Sequence, residues 1–175
     1  MKIWRIIKTV LYSVAGLLIL VFNEPIMPAV GTLVGSVVIF YGIDITILSI
    51  LKGRFFGENS LFFGGLVQLL MGVIIIIVRG DIVKVCLVWA VWSILREGKE
   101  LSESLHAILA KRRGFINFAE SVTIIVFSFM MIMEPTEHHA HFHVIILGIE
   151  LILEVFFPIA NDFIDRLSGR KIDAN

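Results

Sequence analysis

Acidic side chains inside apolar stretches are the residues of this sequence best suited to chemistry. Asp44 lies among aliphatic and aromatic residues in VVIFYGIDITILSI (residues 37–50), and Glu150 and Glu154 are one helical turn apart in LGIELILE. A charge at the centre of a bilayer costs at least about 2.5 kcal/mol, so it normally has a partner or a function. We therefore predict a proton- or cation-binding site at Glu150 and Glu154, with Asp44 and Glu100 as further candidates. The alternative is that these acids only form ion pairs or hydrogen bonds where helices meet.

Histidines form a second candidate group. Four of the five lie in EHHAHFH, namely His138, His139, His141 and His143. A helix would place His139 and His143, four residues apart, on one face. The group could bind zinc or copper, or it could gain charge as the pH falls through about 6.5. The third possibility is an ordinary polar turn at the edge of a membrane.

The elements that must position these groups are apolar helices. The chain has 175 residues, of which 58% are hydrophobic and only 17% charged, and its mean hydropathy is +0.94. Its apolar runs recur in six blocks, near residues 6–22, 26–51, 60–78, 82–95, 114–133 and 141–160. A bilayer core about 30 Å thick needs roughly 20 helical residues to cross it. The sequence therefore predicts an all-α membrane protein with six transmembrane helices in one domain, the first being a retained helix and not a cleaved leader.

The distribution of positive charge predicts the orientation. Thirteen of the 15 Lys and Arg residues fall on the side of the N-terminus, and only Arg79 and Lys84 fall on the other. The positive-inside rule then places both termini in the cytoplasm, as expected for a multi-pass protein of a bacterial inner membrane.

The six blocks read as three repeated helical hairpins, at about residues 5–51, 60–111 and 114–160, followed by a cytoplasmic tail at 161–175. Aligned on the outer turns at Pro25, Asp81 and Pro135, the second helices carry the related segments YGIDI, EGKEL and LGIEL. Equivalent acids of the three hairpins are Asp44, Glu100 and Glu150.

This pattern resembles the HdeD family of small bacterial membrane proteins, in the three hairpins, the proline-containing outer turns and the Gly-Ile-acid-Leu signature. The resemblance extends over residues 5–160, and EGKEL, with Lys99 in place of an aliphatic residue, departs from it. It implies a non-enzymatic protein of the inner membrane with a role in acid or envelope stress tolerance. The alternative function is a small proton- or cation-coupled transporter or channel that uses the carboxylates.

Other features narrow the partners and exclude some chemistry. The single cysteine, Cys86, excludes an intrachain disulfide, and the zero net charge gives no indication of nucleic-acid binding. Phosphate-loop, zinc-protease and serine-hydrolase motifs are absent, so we predict neither an enzyme nor a cofactor. Three cations after the fourth helix are expected to contact anionic lipid headgroups: Lys111, Arg112 and Arg113.

Small and polar residues within the helices give weaker indications. Gly31 and Gly35 form G-x-x-x-G, which predicts close helix packing within the chain or a seam between two copies. Asn117 and Glu120 are expected to form a polar patch with Gln68. The tryptophans are expected to be interface anchors or packing residues.

Overall fold

The computed structural model describes residues 2–51, 61–110, 114–133 and 135–167, and the regular structure in these ranges is entirely helical. The long helices are α1 (Lys2–Val21), α3 (Val30–Leu51), α4 (Leu61–Ile77), α5 (Ile82–Leu109), α6 (Phe115–Met133) and α7 (Ala140–Leu167). A four-residue helix, α2 (Asn23–Ile26), and a 3-10 turn (Met27–Ala29) connect α1 to α3, and a second 3-10 turn (Glu137–His139) precedes α7. The all-α prediction is confirmed.

The prediction of membrane-spanning helices is confirmed in part. Among the residues that the structure describes, three helical segments, and not six, have the length and hydropathy needed to cross a membrane: Glu24–Leu51, Phe115–Met133 and Glu137–Ile164. The apolar parts of α1 and α4, Ile6–Val21 and Phe62–Ile77, cover only about 24 Å of a core about 30 Å thick. Helix α5 is long, but charged residues lie near its start and throughout its second half.

The predicted turn VRGD is present before α5, whereas the last helix extends further than predicted. In the turn VRGD, Asp81 caps α5 by accepting a hydrogen bond from the backbone N–H of Lys84 at 3.1 Å. The Lys84 ammonium lies 2.8 Å from the same carboxylate. These bonds to Lys84 lower the pKa of Asp81 below its usual value. Helix α7 continues to Leu167, so the segment predicted to begin a tail at residue 161 is still helical.

Helix packing does not follow the predicted hairpins most closely. The most extensive contacts join α3 with α4, α5 with α6, and α1 with α7, whereas the two helices of each predicted hairpin contact each other less. The short outer turns connect neighbours in sequence, but side-chain size decides which helices approach closely.

Glycines explain the closest pair, α3 and α4. Gly35 faces Gly72, and Gly42 faces Gly65, across the antiparallel contact. A Cβ atom on Gly72 would lie 2.6 Å from Cγ1 and 2.8 Å from the backbone nitrogen of Ile39. We call these four glycines the glycine seam.

Gly31 and Gly35 are therefore used inside the chain. A Cβ atom on Gly31 would meet the backbone of Arg79 and the side chain of Val85, and Gly35 packs against Ile76. The G-x-x-x-G motif is covered by α4 and α5 and does not offer a face to a second copy. Homo-oligomerisation by another surface stays a prediction.

The interior and the surface are both largely apolar, as expected for a protein in lipid. Core side chains come from every long helix and include Tyr12, Trp89 and Leu147. Large apolar side chains also cover the outside, and those of α1 form a single stripe: Ile6, Val10, Val14, Leu17 and Val21. An apolar exterior of this extent requires an apolar environment.

Candidate functional site

Glu150 lies at the centre of the bundle with its carboxylate fully buried. The indole N–H of Trp89 donates to Oε2 at 2.6 Å, and the Ser93 hydroxyl donates to the same oxygen at 3.2 Å. The Ser128 hydroxyl donates to Oε1 at 3.2 Å. Trp89 and Ser93 are four residues apart on α5, so one face of that helix presents both donors, and α6 supplies the third.

Glu154, one turn further along α7, instead forms ion pairs with positively charged side chains. Its Oε1 lies 2.6 Å from Nη1 of Arg96, and its Oε2 lies 3.6 Å from Nζ of Lys8. Arg96 also joins Glu97 through its Nε at 3.0 Å. The other oxygen of Glu97 accepts a hydrogen bond from Ser121 at 2.9 Å. Side chains from α1, α5, α6 and α7 thus form one buried charged network.

Glu97 is the site residue that the motif comparison missed. The repeat signature selected Glu100, but Glu97 is the buried acid of EGKEL, with 3% of its surface exposed, and Glu100 is exposed. The signal was present in helical spacing, because Trp89, Ser93 and Glu97 follow one another at intervals of four on the face of α5 that points into the bundle.

A cavity of about 280 Å³ opens beside this network. It lies at the end of the bundle where α1 begins and α7 ends, which we call the terminal end. Among the residues that the structure describes, its charged lining comprises two cations, Lys8 and Arg96, and five acids, Glu97, Glu100, Glu120, Glu154 and Asp162. The described acids outnumber the described cations by three, so this part of the lining attracts positive charge.

Lys8 is held at this cavity by aromatic rings as well as by Glu154. Its ammonium nitrogen lies 4.7 Å from the ring centre of Tyr41 and 5.1 Å from that of Tyr12. The two tyrosine rings contact each other edge to face, with centres 6.0 Å apart. Ring faces attract a cation at these distances, so Tyr12, Tyr41 and Glu154 form an ammonium-binding cage.

Pro158 adds a backbone feature to the same region. It lies within α7 and lines the cavity. Proline has no N–H to donate to the carbonyl group four residues earlier, which is that of Glu154. Helix α7 therefore lacks one of its hydrogen bonds where Glu154 meets the cavity, a feature that the sequence reading did not use.

The three repeat-related acids do not share one cavity. Glu100 lines the cavity, whereas Glu150 does not line it and is hydrogen-bonded inside the bundle. Asp44 is buried on α3, with 8% of its surface exposed, and does not line the cavity. Within the described parts of the chain, no side chain forms a hydrogen bond with its Oδ1.

The histidines separate into inward and outward positions. His143 is buried in the first turns of α7, His139 is half-buried, and His138 and His141 are exposed. The rings of His139, in the 3-10 turn, and His143, in α7, lie 6.4 Å apart. Among the residues with described positions, no three His, Cys, Asp or Glu side chains are arranged to hold a metal ion.

The remaining predicted residues have mixed outcomes. Asn117 and Glu120 line the cavity, whereas Gln68 is buried on α4 and is not part of the lining. Trp89 is a buried hydrogen-bond donor and not an interface anchor. The predicted lipid contacts at Lys111, Arg112 and Arg113 lie outside the described residues.

Comparisons with protein-family models, curated proteins and solved structures found no match for this chain.

Proposed function

We propose that this chain is a small membrane transporter or channel that takes up protons or cations at the cavity of its terminal end. The observation that carries the proposal is the excess of three acids over cations among the described residues around a cavity of about 280 Å³. Ionised carboxylates that line one small cavity repel one another. Uptake of a proton or a cation relieves that repulsion, whereas an anion would be rejected.

Glu154 is the central residue of this proposed site. It lies at the cavity and carries the two cations of the network, Arg96 and Lys8. A bound proton or cation at Glu154 would weaken its attraction to both. Charge uptake would then be coupled to the contacts that join α7 to α1 and α5.

Six membrane spans with both termini in the cytoplasm are part of this proposal. The outward stripe of apolar side chains on α1 supports it, as do the exposed apolar residues of α4, which include Phe63, Leu70 and Ile77. The bias of Lys and Arg towards the terminal end supports a cytoplasmic cavity in a bacterial inner membrane. The chain is proposed to be non-enzymatic.

Flux across liposomes tests the proposed function. Purified protein is reconstituted with a pH-sensitive or a potassium-sensitive dye inside, and the corresponding proton or potassium gradient is applied. We expect flux through the wild-type protein and a loss of at least about tenfold in Glu154→Gln, since an amide takes up no proton. The matched control is Glu103→Gln, an exposed acid on α5 with 68% of its side chain accessible. Equal flux in wild type and Glu154→Gln, or no flux in wild type, would reject the proposal.

A second candidate is the acid-tolerance role implied by the resemblance to the HdeD family. The packing supports the repeat architecture on which that resemblance rests, because the second helix of each proposed hairpin contacts the first helix of the next, and α7 returns to α1. Such a cyclic order is what three hairpin repeats would produce. Cells lacking the protein should survive exposure to low pH less well and recover with the wild-type chain. Unchanged survival would count against this role.

A further inference from the structure

The ammonium group of Lys8 occupies a place that is built like a ligand site. Two tyrosine rings lie within 5.1 Å of Nζ, and a carboxylate oxygen of Glu154 lies at 3.6 Å. Ring faces together with one acid are a known means of recognising ammonium ligands. Here a side chain of the protein takes that position.

Space for an external ligand lies directly beside Lys8. The adjoining cavity is lined by Lys8 and Tyr41, and its volume is close to the lower end of small-molecule sites, about 300 Å³. The Lys8 side chain is 26% exposed. Because a lysine stem is long and flexible, Lys8 can leave the cage for water while its backbone stays in α1.

We propose that the cage and cavity together bind an aliphatic primary diamine, for which Lys8 is the built-in competitor. One ammonium group of the ligand would replace that of Lys8 between Tyr12, Tyr41 and Glu154. The inference rests on the proposed function and names the substrate class of that same site.

The other lining residues favour a diamine over a monoamine. Glu100, Glu120 and Asp162 line the cavity outside the cage. These acids would attract the second ammonium group, and Asn117 and Asn161 offer amide oxygens beside them. An inorganic cation could satisfy the acids but would gain less from two ring faces already shaped around an alkylammonium group.

Calorimetric titration of the full chain in lipid nanodiscs tests the inference with 1,4-diaminobutane as the probe. The uncharged 1,4-butanediol is the matched ligand control. We expect the diamine to bind and the diol not to bind. In Lys8→Gln the diamine should bind about tenfold more tightly, since the cage is no longer occupied from within. Lys84→Gln removes the same charge from the outer turn and should leave affinity unchanged.

A ring variant keeps the test decisive if Lys8→Gln does not fold. Tyr41→Phe retains the ring face and should bind as wild type does, whereas Tyr41→Leu should bind about fivefold more weakly. Equal or weaker binding in Lys8→Gln than in wild type would overturn the inference, as would equal binding in Tyr41→Phe and Tyr41→Leu.

The two proposals fail in different ways. If the diamine does not bind but Glu154-dependent proton or potassium flux is seen, the diamine inference is wrong and the proposed function stands. If the diamine binds with the expected Lys8 and Tyr41 effects but no ion or diamine crosses the liposome, the site is right and transport is wrong.

Discussion

Two regions of the bundle join their helices by opposite means. In the glycine seam, α3 and α4 bring their backbones together, and the atoms nearest the glycines are backbone atoms of the facing helix and the side chains of Ile39, Thr46 and Ile76. Around Glu154, the helices α1, α5 and α7 are held by charged side chains that reach across the interior. Lipid gives apolar helices little hydrophobic reason to associate, so small residues and polar contacts are the two available means.

The difference between these regions has a functional consequence. Backbones in direct contact leave no room for a ligand, whereas charged side chains keep the helices apart and leave the cavity. The glycine seam is therefore expected to act as a rigid support, and the charged network as the part that responds to protons and cations.

The largest expected effect comes from removing the cation that joins the network. Arg96→Met leaves the buried carboxylates of Glu97 and Glu154 without their guanidinium partner. Breaking a buried ion pair on one side costs about 3–5 kcal/mol. Thermal unfolding in detergent should show a loss of this size near pH 7.

Arg96→Lys provides the control for Arg96→Met. Lysine keeps a positive charge beside Glu97 and Glu154, so this variant should lose less stability than Arg96→Met, although its ammonium group cannot reproduce the geometry of the guanidinium. Equal losses in the two variants would show that the loss comes from packing and not from charge.

The next effect tests the glycine seam. Gly72→Val places branched carbons where a Cβ atom alone would be 2.8 Å from the backbone of Ile39. Overpacking costs about 1–3 kcal/mol, and a backbone neighbour cannot rotate away, so we expect about 3 kcal/mol.

Gly64→Ala is the matched control on the same helix. A Cβ atom at Gly64 would meet nothing within 4 Å. Alanine is the better helix former, so the variant should be as stable as wild type or more stable. If Gly72→Val were as stable as Gly64→Ala, the glycine seam would not be a rigid support.

A smaller effect is expected at Glu150, whose carboxylate accepts hydrogen bonds from neutral side chains. Glu150→Leu removes the acceptor of the Trp89, Ser93 and Ser128 hydrogen bonds. Buried donors without an acceptor are costly, and the gain from an apolar side chain offsets part of this, leaving about 2 kcal/mol. Glu150→Gln keeps an acceptor oxygen and should cost less than half as much. Equal unfolding temperatures for the two variants would contradict the hydrogen-bond assignment.

The sequence predicted the helices well because apolar runs and turn residues are local signals. It predicted six spans from those runs, but the charges of α5 and the short apolar parts of α1 and α4 leave three that meet the length and hydropathy of a span. The repeat signature placed the acids along their helices but did not give the side of the helix on which each one lies. Three residues separate Glu97 from Glu100, nearly one helical turn, yet one is buried and the other exposed.

Partners across helices were beyond the sequence for a different reason. Glu154 meets Lys8 and Arg96 because α7 packs against α1 and α5, a choice made by distant contacts such as Gly16 against Gly148. A hairpin reading pairs neighbours in the chain and so cannot bring Lys8 to Glu154. The tyrosine cage follows from the same long-range packing, as no motif connects Tyr12 with Tyr41.

The smallest effect is expected at Asp81, in the turn that joins α4 of the glycine seam to α5 of the charged network. Its carboxylate caps α5 and pairs with Lys84, but 42% of the side chain is exposed, so water replaces much of what Asp81→Ala removes. Because the pKa of Asp81 is lowered in the folded protein, its contribution is present at neutral pH and disappears as the pH falls below about 4. Unfolding of wild type and Asp81→Ala should therefore differ slightly at pH 7, and the difference should decrease as the pH falls below about 4. A difference as large as that of Arg96→Met would mean that a largely exposed ion pair contributes as much to the stability of this protein as the buried charged network does.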